Sequence, residues 1–421
     1  MPSKVFSASR LLLLGILLFG PLAFGAVQAW AWGLIALATA IVLFLWATGS
    51  IGQRYVALAW CWLFVPLGLL FSWGLVQLNA HVSVDPASTR EALLKLAAFV
   101  LLFFLTAQLF QGAPASAWEH LGLLVVLFAA LLAIYAILQA YSNPGLIYWI
   151  VKSRNKDLRG PYVNRDHYAG LMEMLIPIAA CYCFSKKRSM ALSLCFGVVI
   201  AIVSLLLTGS RGGLVALMTE LILLAVIIVT CVKGIEKASL AWATGAAIVA
   251  AVGVFFVLAP RGVPARLASI LRVNDPGVVP YRREVYADTL RIFRDHLAAG
   301  TGLGTFEAIY PQYQSFPSDF NWDHAHNDYA EYLAEAGLPG AVLLLAALPI
   351  FFYKTFWSGL RERLQTTAGW IQVGATLSCC GLLVHSFFDF NLHIPANASW
   401  FSVCAALACV DRRVRETTNL Q

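Results

Sequence analysis

Long apolar runs separated by short polar connections dominate the chain. Residues 196–207, for example, are apolar except for Ser204, unlike a strand of a membrane barrel, in which apolar and polar residues alternate. A membrane-spanning helix needs about 20 predominantly apolar residues. The pattern therefore predicts about twelve membrane-spanning helices, at residues 10–28, 31–48, 55–78, 92–111, 120–141, 167–185, 189–208, 212–232, 239–259, 327–353, 367–388 and 395–410.

Two longer polar stretches interrupt these runs, at residues 142–166 and 260–326. The predicted fold is all-α: one transmembrane helical domain over residues 1–421, with 260–326 as a large loop before the tenth span. Inside this loop, residues 281–297 carry apolar side chains at helical spacing. We expect an amphipathic helix there, lying at the membrane interface.

Composition supports a membrane protein and excludes a soluble one. Of the 421 residues, 60% are hydrophobic and 12% are charged, whereas soluble domains have about 25% charged residues. A soluble fold of this length leaves about a quarter of its unfolded surface exposed, so it could not hide so much apolar surface. The nine cysteines lie in or beside apolar runs and are interpreted as small buried hydrophobic residues.

Lysine and arginine in the connections predict the orientation, because these residues are enriched in cytoplasmic loops. Every second connection is basic if the N-terminus is cytoplasmic. Both termini are then cytoplasmic, and residues 142–166 and 260–326 face the outer side. The first span could instead be a cleaved signal peptide, since Lys4 and Arg10 precede an apolar run.

The segment 142–166 is basic although it is predicted to face outward. It carries five cations against two acidic residues, the cations being Lys152, Arg154, Lys156, Arg159 and Arg165. Positive charge on the outer side would favour an anionic ligand there. Contact with lipid headgroup phosphates remains the alternative.

Arginines also mark two other places on the outer side. Arg211 lies in a glycine-rich turn, residues 208–213, between two spans, and Arg282 and Arg283 begin the amphipathic helix. A planar guanidinium suits a phosphate because it donates two parallel hydrogen bonds. Extension of the side chain toward lipid headgroups remains open for Arg211.

The run 323–329 combines acids and histidines where the large loop re-enters the membrane. His326 could serve as a general base, since a histidine can be neutral near pH 7. Asp323, His324, His326 and Asp328 could also bind a metal, and a structural capping role is a third alternative.

Near the C-terminus, His385, Asp389 and His393 recur every four residues. They would share one face if the helix continued, as a packing network or as part of a catalytic site. Glu173 and Glu220 are acidic residues within predicted spans. Such residues are functional candidates by default, for example as proton carriers in a solute transporter.

Five segments of the chain resemble the O-antigen ligase superfamily of bacterial inner-membrane proteins, which includes O-antigen and exopolysaccharide polymerases. The run HNDYAEYLAEAG is the most specific of the similarities. The resemblance covers roughly residues 159–400, and the segments that carry it are RGPYVNRDHYAG (159–170), TGSRGG (208–213), RREVY followed by GTGLGTF (282–306), HAHNDYAEYLAEAGLPG (324–340) and HSFFDFNLHIPANA (385–398).

The resemblance implies an inverting glycosyltransferase of the GT-C kind, acting at the periplasmic face of the inner membrane. The donor would be a glycan on undecaprenyl diphosphate, and for a ligase the acceptor would be a sugar hydroxyl of the lipid A core. His326 would take the acceptor proton, and Arg211 and Arg282 would bind the diphosphate; Arg283 is an alternative to Arg282. The supporting candidates are Arg159, Asn164, Arg165, His167, His324, Asp328, Asp389 and His393.

The implied reaction uses no cofactor and no metal, and we expect no nucleic-acid partner. The expected partners are the lipid-linked glycan, the lipid A core or a growing glycan, and membrane lipids. The motifs do not separate a ligase from a polymerase that joins lipid-linked repeat units. A solute transporter and a scaffold for an assembly complex are the alternatives from other classes. No internal repeat relates two halves of the chain, as it does in many transporters.

Overall fold

The computed structural model describes residues 2–51, 58–153, 155–260, 262–269, 281–318, 321–357 and 359–410. In these residues the protein is all-α apart from one two-stranded hairpin, which confirms the predicted fold class. The sixteen α-helices are α1 Pro2–Leu22, α2 Ala29–Ile51, α3 Phe64–Asn79, α4 Pro86–Phe110, α5 Ala115–Ser142, α6 Arg165–Phe184, α7 Arg188–Leu207, α8 Arg211–Cys231, α9 Gly234–Leu258, α10 Gly262–Ala268, α11 Arg282–Asp295, α12 Phe306–Ile309, α13 Asp328–Phe352, α14 Leu360–Arg363, α15 Thr367–His385 and α16 Pro395–Cys409.

Twelve of these helices, α1 to α9 with α13, α15 and α16, correspond one to one to the predicted spans. Within the described residues, ten are long and apolar enough to cross a membrane by length and composition. The other two, α3 and α16, have 16 and 15 residues. The predicted start of the third span, residues 55–57, lies outside the described part of the chain.

The bundle is built around α6 and α15, whose most apolar segments are 89% and 83% buried. Small residues bring the two helices together: a Cβ added at Gly374 would lie 2.6 Å from the Cα of Ile178. The Ser378 hydroxyl also donates to the Met174 carbonyl at 2.6 Å. Large apolar side chains on α9, such as Trp242 and Val257, are more than three-quarters exposed, as expected of a surface that contacts lipid.

Helix α15 ends at His385, so the condition under which Asp389 and His393 would share a helical face with His385 is not met. Residues 386–394 form a connection that contains a short 3-10 turn, Asn391–His393. The backbone N–H of Leu392 donates to the side chain of Asp328 instead of to a helical carbonyl. Pro395 then begins α16, where its missing N–H has no cost.

The outer polar segments contain short elements. Strands β1 Leu146–Ile147 and β2 Val151–Lys152 pair antiparallel in the first segment. In the large loop, the amphipathic helix predicted at 281–297 is confirmed as α11. Its buried residues, including Val285 and Ile292, pack with α12 and α13 in a small apolar cluster. The buried residues of α11 therefore pack within the protein, and the location of α11 at the membrane interface stays a prediction.

Candidate functional site

The capping residues of three helices place the candidate side chains at one end of the bundle. Asn164 caps α6, Ser210 caps α8 and Asn327 caps α13, each accepting a backbone N–H with its side-chain oxygen. Such caps fix the first turn of a helix, so the residues on either side of each cap are held in place. Arg165 and Arg211 directly follow two of the caps, and His326 directly precedes the third.

His326 forms a pair with Asp389. Its Nδ1 donates to Asp389 Oδ1 at 2.9 Å, and the Asp389 side chain is 1% exposed while that of His326 is 19% exposed. The backbone of His326 is left-handed, with φ of 52°, which is uncommon for a residue other than glycine. A buried carboxylate therefore orients the histidine ring and leaves Nε2 to exchange a proton.

Asp389 is held as a carboxylate by its neighbours. Burial raises its pKa, but the hydrogen bond from His326 and the nearby charges of His167 and Arg282 outweigh burial, so that its pKa is well below the ordinary value. Its second oxygen lies 3.8 Å from His167 Nε2. Asp389 is therefore ionised at neutral pH and can stabilise a protonated His326.

A second set of polar side chains lies beside this pair, and we call His324, Glu331 and His393 the His–Glu–His group. Glu331 Oε1 is 2.7 Å from His324 Nδ1 and 3.3 Å from His393 Nε2. The other nitrogen of His393, Nδ1, is 2.9 Å from Asp328 Oδ1. Burial lowers the pKa of His393, but the carboxylates of Glu331 and Asp328 outweigh burial and raise the pKa to about 10.

Phe390 joins the two sets. Its ring centroid lies 4.3 Å from that of His324, 4.9 Å from that of His326 and 4.6 Å from that of His167. Three histidines, two from the loop before α13 and one from α6, therefore pack around a single aromatic ring.

The arginines lie on the side of the site next to Asp389. Arg211 interacts electrostatically with Arg282 and Arg165. Arg282 is partly buried and donates to the Phe388 carbonyl at 3.0 Å, one residue before Asp389, whereas Arg283 is exposed. The positive charge of Arg211 and Arg282 suits an anionic group, and partial burial distinguishes Arg282 from the exposed Arg283.

Two predicted supporting residues have structural roles. Asn164 is the cap of α6. Arg159 is buried and donates to backbone carbonyls of its own segment, those of Pro144, Asn155 and Asp157. The other supporting candidates, namely Arg165, His167, His324, Asp328, Asp389 and His393, lie at the site.

Glu331 and Glu335 were not singled out from the sequence, although they share a helical face with Asp328. Glu335 accepts from the backbone N–H groups of Gly304 and Phe306 at 2.8 and 3.0 Å. The glycine-rich turn at 300–304 is thus bound to α13, and the N–H of Gly304 is already used by the protein. Glu173, noted from the sequence without a partner, is buried and 2.9 Å from His385 Nδ1.

A cavity of about 620 Å³ opens beside the His–Glu–His group, between α3, α4, α13 and α16. Asp328 and the three members of the group are among its lining residues, and apolar side chains such as Phe99, Phe103, Leu348 and Phe351 make up most of the remainder. Arg211 and Arg282 are not among its lining residues. The site therefore has a cationic side and a separate side that leads into an apolar cavity.

Two sets of described residues bring potential metal ligands within 4.8 Å of one another. They are the His–Glu–His group and a second set formed by Asp166, His385 and Asp389. In the second set, His385 already pairs with Glu173 and Asp389 with His326.

The central part of the chain is similar to a known protein family. Residues 196–345 match the family model described as O-antigen ligase. This segment contains Arg211, Arg282 and His326, while Asp389 and His393 lie beyond it. No protein of curated function matches the chain. The segment of this multi-pass membrane protein that carries the two arginines and the histidine is therefore similar to the O-antigen ligase family.

Proposed function

We propose that the protein transfers a glycan from undecaprenyl diphosphate to a sugar hydroxyl of the lipid A core, with inversion at the anomeric carbon and without a metal. The site would face the periplasm from the inner membrane. The observation that carries this proposal is the His326–Asp389 pair, placed next to Arg282 and Arg211 at one end of the bundle.

The pair would supply the base. The acceptor hydroxyl oxygen attacks the anomeric carbon, and the bond from that carbon to the phosphate oxygen breaks. The hydroxyl proton passes to Nε2 of His326, because Nδ1 is bound to Asp389. Asp389 stabilises the resulting imidazolium, as an orienting carboxylate does in other acid–base sites. Attack from the side opposite the leaving group inverts the anomeric centre.

The arginines would supply the electrostatic stabilisation. Negative charge develops on the diphosphate as the glycosidic bond breaks, and Arg211 and Arg282 are the side chains that would bind it. Fixed positive groups at a site partly shielded from water can stabilise such charge strongly. Because the diphosphate is already a good leaving group, one base suffices, whereas glycosidases use two carboxylates.

The cavity between α3, α4, α13 and α16 supports a lipid-linked substrate. Most of its walls are apolar, and its polar lining includes His324 and Asp328, which lie on either side of His326 in sequence. Apolar walls accept a hydrocarbon chain from the bilayer without cost, because lipid tails and apolar side chains are equally apolar, and a chain in this cavity would place its head group at the site.

The experiment is single-turnover transfer by the purified protein in lipid nanodiscs. Labelled glycan on undecaprenyl diphosphate is given together with lipid A core, or with a second lipid-linked repeat unit. Transfer to lipid A core supports the proposal; elongation of the lipid-linked glycan alone would assign a polymerase instead.

The residue assignments are tested in the same assay. His326→Ala should reduce the transfer rate about 10²–10⁴-fold while donor binding persists. His296→Ala is the matched control, since His296 lies on α11's C-terminal side beside Tyr313 and away from the site. Transfer by His326→Ala at the wild-type rate would exclude His326 as the base.

A further inference from the structure

The His–Glu–His group takes no part in the transfer steps proposed above. We propose that His324, Glu331 and His393 bind a divalent transition metal of the Zn²⁺ type at the wall of the large cavity. This inference does not depend on the proposed function, because His326, Arg211 and Arg282 are not among the ligands.

The donor atoms have the chemistry and spacing of such a site. Zn²⁺ is bound by two histidines and one glutamate in some enzymes, with bonds of about 2.0–2.2 Å, which places neighbouring donor atoms about 3.3 Å apart in a tetrahedral site. Glu331 Oε1 is 3.3 Å from His393 Nε2 and 2.7 Å from His324 Nδ1. All three donor atoms lie within 4.8 Å of one another, so small shifts would seat an ion between them.

Neighbouring groups orient two of the ligands. Asp328 Oδ1 accepts from His393 Nδ1 at 2.9 Å, which directs Nε2 toward Glu331. Asp328 is itself fixed by the Ser386 hydroxyl at 2.7 Å. A carboxylate behind a histidine ligand is the usual arrangement at zinc sites. The Ala325 N–H donates to Glu331 Oε2 at 2.7 Å and leaves Oε1 directed at the two imidazoles.

Charge and access also favour a cation. Metal binding requires His393 to release the proton that Glu331 and Asp328 favour, which leaves two negative charges on side chains that are at least 96% buried. A divalent ion would balance them. His324, Glu331 and His393 all line the cavity, so a fourth position could be taken by water from that side.

The site would join two parts of the chain that are far apart in sequence. His324 lies before α13, Glu331 on its first turn and His393 before α16. A metal bound to all three would fasten the loop that contains His326 to the start of α16. We therefore expect bound metal to stabilise the protein without taking part in transfer.

The test uses the full chain in detergent, freed of metal by a chelator and titrated with Co²⁺ and then Zn²⁺. We expect one equivalent of Co²⁺ with the visible spectrum of a four- or five-coordinate site, displacement by Zn²⁺, and a higher unfolding temperature with either metal. Asp328→Asn should weaken binding about 10–100-fold, and His393→Ala should weaken it further. Binding that is unchanged in His393→Ala would refute the site.

A ligand exchange keeps the test decisive if an alanine variant folds poorly. In His324→Cys, the new thiolate should add a sulfur-to-cobalt charge-transfer band. His296→Cys is the matched control, and it should bind Co²⁺ without that band. A folded wild-type protein that binds no metal, or an identical spectrum for both cysteine variants, would show that the group is only a hydrogen-bonded network.

Discussion

The most informative perturbation is Asp389→Asn, which removes one negative charge and keeps the shape of the side chain. Asp389 accepts from His326 Nδ1 at 2.9 Å, and its side chain is 1% exposed. A hydrogen bond to a charged group contributes about 1.5–3 kcal/mol. At 1.4 kcal/mol for each tenfold change, losing it in the transition state predicts a rate reduction of about 10- to 150-fold.

The assay is single-turnover transfer beside equilibrium binding of the lipid-linked donor, with Asp295→Asn as a control. Asp295 ends α11 and is exposed, so this control should react at the wild-type rate. In Asp389→Asn the transfer rate should fall while donor affinity stays within about threefold, because Asp389 is proposed to act through His326. An effect mainly on donor affinity would mean that Asp389 instead positions Arg282, with which it interacts electrostatically.

The double variant gives the sharper result. If Asp389 acts only by orienting His326 and stabilising its protonated form, His326→Ala with Asp389→Asn should be no slower than His326→Ala alone, since residues that act as a unit are not additive. A double variant whose loss equals the product of the two single losses would refute this reasoning.

Three further results are expected. Arg282→Ala should lose about 3–4 kcal/mol of transition-state stabilisation, measured from the ratio of the transfer rate to the donor dissociation constant, and Arg282→Lys should recover only part of it. Arg283→Ala should have a milder effect because Arg283 is exposed. Equal losses in Arg282→Ala and Arg283→Ala would contradict the choice of Arg282 as the diphosphate ligand. Transfer should continue in the presence of EDTA because the arginines stabilise the negative charge of the leaving group. A loss of transfer activity that added Mg²⁺ or Mn²⁺ reverses would contradict this. Ser315→Cys should react with an impermeant thiol reagent added from the outer side of spheroplasts while Ser189→Cys should not, and the reverse pattern would overturn the predicted orientation.

Much of the fold could be predicted because each membrane-spanning helix can be recognised from its own stretch of sequence. Twenty apolar residues in a row have few alternatives to a spanning helix, and twelve predicted spans correspond to twelve helices. The end of α15 could not be predicted in the same way. The polar residues after His385 kept helical spacing, but the structure shows that the Leu392 N–H binds the Asp328 side chain, a partner 64 positions away in sequence.

The candidate residues of the site were also visible, because arginine, histidine and aspartate are conspicuous beside apolar spans. Their partners were not. Glu331 lies between two histidines, yet in sequence it is one of several acids in a helix. Glu173 binds His385 from 212 positions away. Such pairings depend on how helices pack, and a single sequence carries no direct record of that packing.

Glycines within the sequence motifs do give some information about how the helices pack. A Cβ at Gly170 would lie 2.1 Å from Asn391 Oδ1, and one at Gly212 would lie 2.4 Å from a carbon of the His385 ring. Neither distance is possible for non-bonded atoms, so α6 and α8 reach the end of α15 and the connection after it only because these positions lack a side chain. The glycine after His-Tyr-Ala and the glycine after Arg211 are therefore part of the site's construction. Such glycines indicate in the sequence where a close approach occurs, and the structure shows which segment makes that approach.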